Sequence, residues 1–461
     1  MIELSYPGDL TDPDELAVQL STTGLSPEAC ESKARLFART TAALAVTGPV
    51  GHGPPPVAFF VPGRIEVLGK HTDYAGGRSL IAAAEHGFCV VAQPRDDRRM
   101  VVIDARSGET IRFRIDADMA PPADSWARFP MAVARRIARN FPGACRGADM
   151  ALVSDLPPSA GLSSSAALTA AAFLVLSETN QLPARDEYWH NIGNKVDLAG
   201  YLGAIQSGQS FGTLEGDPDS GLFGGGEDHT AILCSESNHI SQYAFCPVEF
   251  ERMLHVPPGY VFAIGASGVI PQGTDAAQQQ RHTPRRLADA LANLWRRETG
   301  RNDAKLADAL SSTPDAAEQL KRLVETADVD AADRVAMVAR LEHFMIESGE
   351  IIPEAGDALA GGDLRAFGRL VDRSQHLTER LLANQTPETL SLVASARKLG
   401  AVAASTFGAG FGGSVWALLE TARADDILTA WADGYRAEFA QHSELSKFFL
   451  TGAGPAAFRV C

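Results

Sequence analysis

Leu156-Pro157-Pro158-Ser159-Ala160-Gly161-Leu162-Ser163-Ser164-Ser165-Ala166-Ala167-Leu168 reads as a turn, one glycine, three serines and the start of an apolar helix. Pro157 and Pro158 end the strand-like run at 149–153, because proline has no N–H to give to a ladder. Gly161 lets the backbone approach another group closely. The serines fall where a new helix leaves its first N–H groups unpaired. Those groups and the helix dipole favour an anion. A phosphate is the expected guest, and the hydroxyls could also reach its metal ion. A plain serine-capped helix is the other reading of these residues alone.

Working outward, the 461 residues suffice for two or three domains with their own cores. Hydrophobic residues at 45% and a net charge of −16 describe a globular chain that is no general partner for nucleic acid or an anionic membrane. Six scattered cysteines, without a C-x-x-C, fit reduced thiols better than a disulfide frame or zinc site. The N-terminus lacks a basic region followed by an apolar run, and no apolar stretch is long enough to span a bilayer. A cytoplasmic location follows as the expectation.

Residues 1–50 read as two helices. Asp12-Pro13-Asp14-Glu15 opens the first and Ser26-Pro27 the second, each a capping residue followed by a first-turn proline. Residues 51–56 form a linker, 57–61 a buried strand, and 64–69 a further extended segment beyond a bend at Pro62-Gly63. Strands joined by a charged turn occupy 80–115. An amphipathic helix covers 126–140, and its Trp126 fits the core better than an adenine pocket. Another helix covers 186–205, and an acidic glycine-rich loop covers 207–226. Beyond 250 the pattern is a strand at 260–264, helices to about 383, a helix from Thr386-Pro387 to Gly400, a strand at 414–419 and a last helix at 424–441. The domain boundary is expected near 250, giving units 1–250 and 251–461.

Residues 408–413 satisfy G-x-G-x-x-G, but a dinucleotide site needs a strand before it and a helix after it. Here a helix and short strand precede and a β run follows, so these glycines are expected to pack against another loop or against phosphates. G-x-S-x-G fails at Ser165, and no P-loop lysine motif is present. Three separated loops remain: a polar cationic one at 64–77, the serine turn at 161–165 and the glycine loop at 408–413. Asp228 adds an acid in a glycine-rich setting. An anion cradle, a cation for developing charge and an acceptor for a hydroxyl proton are the parts of phosphoryl transfer.

Val61-Pro62-Gly63-Arg64 followed by Gly69-Lys70-His71-Thr72-Asp73-Tyr74-Ala75-Gly76-Gly77 resembles the galactokinase signature. Residues 158–166 resemble the phosphate motif of the wider GHMP kinases, and 408–414 resemble their third motif. The resemblance implies an α+β, two-domain GHMP kinase fold: a ribosomal-protein-S5-like N-terminal domain and a ferredoxin-like C-terminal domain. It implies ATP and Mg²⁺ between them and transfer to a sugar's anomeric hydroxyl. By position Asp228 resembles the catalytic aspartate and Arg64 the cation that keeps it ionised. Lys70, His71, Asp73 and Asp228 match sugar contacts. Gly161, Leu162, Ser163, Ser164 and Ser165 match the ATP loop, joined by Gly410 and Gly412. Ser164 and Glu215 are the expected metal ligands, with Gln206 the alternative position for the latter. The implied partner is a small sugar, with no nucleic acid and no membrane. A monomer is the simplest assembly, and the oligomeric state is left open.

Two departures matter. Lys70 stands where the signature has glutamate, and Glu66 where it has asparagine. A lysine accepts no hydrogen bond but holds a carboxylate, so a hexuronate such as galacturonate is one expected substrate. A Glu66–Lys70 pair is the competing reading. Second, residues 267–286 hold no tyrosine for the sugar. A kinase-like sensor that binds ATP and sugar without turnover is therefore the alternative function.

Overall fold

The computed structural model describes residues 2–6, 8–46, 55–123, 125–158, 160–218, 222, 224–269 and 275–461, with side chains described from 282 onward in the last stretch. Most of the linker expected at 51–56, Ser159, and residues 219–221 and 223 of the acidic loop lie outside these.

The fold is α+β, built on two sheets. The larger has ten strands among the described residues, in the path Ile2–Glu3, Phe458–Arg459, Val57–Leu68, Arg78–Pro94, Ala148–Ser154, Arg99–Asp104, Thr110–Arg114. His239–Ala244 and Ala453–Gly454 also pair with the long strand Arg78–Pro94, and Glu249–His255 pairs with His239–Ala244. The smaller sheet is antiparallel, in the order Ala403–Phe407, Ser414–Glu420, Tyr260–Ala266, Lys447–Thr451. Residues 453–459 lie beyond the expected boundary near 250, yet they return to the larger sheet.

The two segments read at 57–61 and 64–69 are one strand, Val57–Leu68, buried along its whole length. The bend expected at Pro62-Gly63 appears as a register shift between Pro62 and Arg64, and a second lies between Glu66 and Leu68. Such bulges re-aim side chains next to active sites. Gly63 is required there, because an added Cβ would stand 2.7 Å from the Leu162 carbonyl oxygen.

The helix Ser164–Thr179 is buried almost all round, as its apolar sequence demands, and packs in the main core against Val57–Leu68 and Arg78–Pro94. Asp12 and Ser26 cap the helices Pro13–Leu20 and Pro27–Ala45 through their side chains, as expected. The helix read at 186–205 is broken into Asp186–Asn191 and Lys195–Ser207, with Asn194 capping the second. Trp126 is partly buried against the main core. No helix of the described residues is long and apolar enough to cross a membrane.

Candidate active site

The three motif loops converge on one cavity of about 600 Å³, walled by Arg64, Asp73, Ser164, Asp228, Gly408 and Gly410 among others. The strand bulge delivers Arg64 and the turn after Leu68 delivers His71 and Asp73. The start of the helix Ser164–Thr179 delivers the serines, and the first turn of the helix Gly226–Cys234 delivers Asp228.

The glycine loops meet backbone to backbone. Gly161 has φ +69° and Gly408 φ +85°, and a Cβ on either would stand 3.0–3.2 Å from the other loop, at the Phe407 oxygen and the Gly161 Cα respectively. This is the close packing expected of residues 408–413, and it sets the serine turn against the cavity.

Asp228 is held through one oxygen. Its Oδ1 accepts from Arg64 Nε at 2.7 Å and from Ser163 Oγ at 2.7 Å, with Arg64 Nη2 also at 2.7 Å. No protein hydrogen bond engages Oδ2 among the described residues, and Asp228 lines the cavity. Burial pushes the Asp228 carboxyl up, but Arg64 and the Ser163 hydroxyl outweigh it and leave it below the usual carboxylate range.

Arg64 is buried among three carboxylates: Asp228, Glu66 at 2.9 Å and Glu227 at 3.3 Å. Three full charges on one cation would leave an acidic cluster on the cavity wall. Burial and the Glu66 charge push Glu227 well above the usual range, and burial pushes Glu66 up. Burial thus opposes ionisation of both glutamates, and the Arg64 cation opposes that effect. Glu66 Oε2 also accepts from Gly408 N–H at 3.0 Å, while its buried Oε1 has no hydrogen-bond partner.

At the other end, Asp73 lies under Gly225, where an added Cβ would stand 1.7 Å from Asp73 Oδ2. Burial and the Asp228 charge raise the Asp73 carboxyl. His71 sits at φ +61° and is held neutral, its pKa pushed down to about 3 by burial and by Arg340. Its Nε2 faces Asn384 Nδ2 at 3.3 Å.

Of the remaining expected residues, Ser163, Ser164, Ser165, Gly161, Gly410 and Gly412 line the cavity. Leu162 does not: its side chain is core, and it serves through its carbonyl, which accepts from Arg64 N–H at 3.1 Å. Lys70 is not on the cavity wall. Its buried ammonium donates to Ser405 Oγ at 2.7 Å and Ser374 Oγ at 3.3 Å, while Glu66 bonds Arg64, so neither expectation for Lys70 describes its hydrogen bonds.

Glu215 is exposed and away from the cavity. Its loop is folded back onto the helix Arg128–Asn140 by Arg136 on the Gln209 carbonyl at 2.7 Å and Asn140 on the Glu215 carbonyl at 3.2 Å. Gln206 is buried instead between His229 Nε2 at 2.7 Å and Ser165 Oγ at 3.5 Å. No group of three acidic, histidine or cysteine side chains that could hold a metal occurs among the described residues.

Sequence reasoning missed Tyr74, His282, Arg285 and Asn384. Tyr74 lay within the signature and could have been read there. His282 and Arg285 lie on the cavity wall in the helix Asp275–Thr299, and Arg285 stacks on Tyr74 at 5.5 Å. Asn384 follows a π-helical turn, which no local pattern announces.

The galactokinase galactose-binding signature matches residues 50–94, the GHMP kinases N terminal domain residues 128–207 and the GHMP kinases C terminal domain residues 356–437. A galactokinase of Chloroflexus aggregans is 28% identical over 394 residues, covering 83% of this chain and 89% of that one. A galactokinase of Lactobacillus helveticus is 27% identical over 381 residues, covering 80% and 87%. Among solved structures, Lactococcus lactis galactokinase complexed with galactose superposes with a TM-score of 0.73 at 21% identity, covering 92% of this chain and 99% of that one. The mevalonate kinase of Methanococcus jannaschii gives 0.51 at 14% identity, covering 88% and 99%. Over these segments the chain is similar to the GHMP kinases, and the relatives named here are galactokinases.

Proposed function

We propose that the protein transfers the γ-phosphoryl group of ATP to the anomeric hydroxyl of galactose. The observation that carries this reading is the Asp228 carboxylate on the cavity wall, held on Oδ1 by Arg64 and Ser163.

The nucleotide phosphates belong at the serine turn, where the first residues of the helix Ser164–Thr179 line the cavity. The sugar belongs beside His71, Asp73 and Asp228. His71, neutral at working pH, takes part as a hydrogen-bonding ring and not as a cation.

A carboxylate clamped by arginine is a weak base, so Asp228 orients the sugar hydroxyl before it takes the proton. That suits phosphoryl transfer, whose loose transition state demands little prior deprotonation of the acceptor. Arg64 fixes the carboxylate and screens the charge that passes between the oxygens. When the acceptor loses its proton, Oδ2 is the oxygen free to receive it.

The residues present fit a magnesium ion that arrives with ATP and takes few protein ligands. Ser164 would offer a hydroxyl on the cavity wall, which Glu66 and Asp228 also line. Such an ion would neutralise phosphate charge. Glu215 is in no position to join it.

The withdrawal of Lys70 from the cavity removes the basis for a uronate and favours the neutral sugar. With Arg64 and Asp228 both in place, the non-turnover sensor is the less supported reading. A coupled ADP-release assay over a panel of hexoses tests the proposal. Galactose-dependent release is expected, and no release with any sugar would refute it.

A further inference from the structure

The loop that carries His71 and Asp73 is gripped from the C-terminal half by groups that the transfer itself does not use. Glu347, fully buried at the start of the π-helical segment Glu347–Ile351, accepts from Gly69 N–H at 3.1 Å and from Ser374 Oγ at 2.9 Å. Lys70 is 2% exposed and donates to that same Ser374 hydroxyl and to Ser405 Oγ. Ser405 passes its own hydrogen to Gln375 Oε1 at 3.1 Å, and Thr406 N–H and Oγ converge on the same oxygen at 3.1 Å and 3.0 Å.

One amine therefore joins three elements: the 69–77 loop, the helix Leu364–Leu377 and the strand Ala403–Phe407. Two residues after Thr406 that strand becomes the glycine loop on the cavity wall. A buried ammonium needs a countercharge. Burial pushes the Lys70 amine down, Glu347 is the foremost of the charges that oppose this, and Ser374 stands between the two.

We propose that Lys70 is a positioning residue, which with Ser374, Ser405 and Glu347 fixes the His71–Asp73 loop to the C-terminal half of the chain. Its consequence for the sugar rests on the galactose reading above, while the tie itself does not.

Lys70→Met in the full chain keeps the length and removes the charge. Amide hydrogen exchange within residues 69–77 is expected to accelerate about tenfold or more, while the helix Ser164–Thr179 keeps its protection. The Michaelis constant for galactose is expected to rise about tenfold and that for ATP to stay within about threefold. Lys70→Arg, which restores the charge, should recover part of both. If Lys70→Met does not fold, Ser374→Ala is measured by the same criteria.

Unchanged exchange in 69–77 overturns the proposal. So does acceleration shared equally by 164–179, which marks a general loss of stability. A parent protein without galactose turnover would refute the substrate reading alone, and the exchange pattern would still decide the tie.

Discussion

Ser163 gives its hydroxyl hydrogen to Asp228 across 2.7 Å from a backbone at φ +59°, a left-handed conformation that a non-glycine residue adopts at a cost. The side chain at this N-cap position makes no capping hydrogen bond to its own helix and reaches across to the acid instead. The serine turn and the Asp228 carboxylate are thereby one unit.

Ser163→Gly suits the backbone and deletes the hydroxyl. The variant should fold as well as the parent or better, with kcat reduced about tenfold. With the Ser163 bond gone, the Asp228 carboxyl moves up toward the ordinary range, so the acid limb of the kcat/KM profile shifts to higher pH. A profile of the variant that superposes on the parent's would show that the bond has no catalytic consequence.

Gly225→Ala places a methyl group 1.7 Å from Asp73 Oδ2, and the carboxylate must move. The expected result is a galactose Michaelis constant raised by about tenfold or more, with ATP binding unaffected. Steady-state kinetics in both substrates check this.

Histidines that burial pushes down, His71, His229 and His343 among them, set an acid limit on stability. Burial holds His71 at about 3 and His229 at about 4, and burial with the Arg340 charge holds His343 well below its ordinary value. In the unfolded chain each takes a proton near the ordinary value of about 6.5. The unfolded state binds more protons below that point, so stability is full above it and falls as pH drops toward the folded values. The slope is about 1.4 kcal/mol per pH unit for each such histidine. Thermal melts from about pH 7.5 down to 5 should show a steady fall in Tm. His229→Gln, a neutral replacement, should flatten the curve.

Substrate preference follows from where Lys70 points. Its ammonium is taken up by Ser374 and Ser405, so a carboxylate on the sugar gains nothing from it. Galactose should exceed galacturonate in kcat/KM by about a hundredfold, the scale expected when a charge is desolvated without a partner. Equal efficiency would return a cation to the sugar end.

Much of the site was legible because its logic is local. The Asp12 and Ser26 caps, the serine turn and the glycines at 408–413 are short patterns whose chemistry acts within a few residues. The fate of Lys70 was not legible. Its partners lie 304 and 335 residues away, and a lone lysine in a motif says nothing about which hydroxyls will surround it. Glu215 failed for the same reason, since counting back from Asp228 cannot see a loop folded onto another helix. The broken helix at 186–205 was within reach: Gly193-Asn194 is a breaker followed by a cap. The strands after 447 were missed because Lys447–Thr451 and Phe458–Arg459 take their place from sheet neighbours distant in sequence.

The most direct test of the central claim is Asp228→Asn, assayed for galactose-dependent ADP release and, separately, for ATP binding. Asparagine keeps the shape and the Ser163 contact and loses the negative charge that Arg64 holds. Turnover should fall by about a thousandfold or more while ATP affinity stays within about threefold of the parent. A variant that turns over as fast as the parent would contradict the assignment of Asp228.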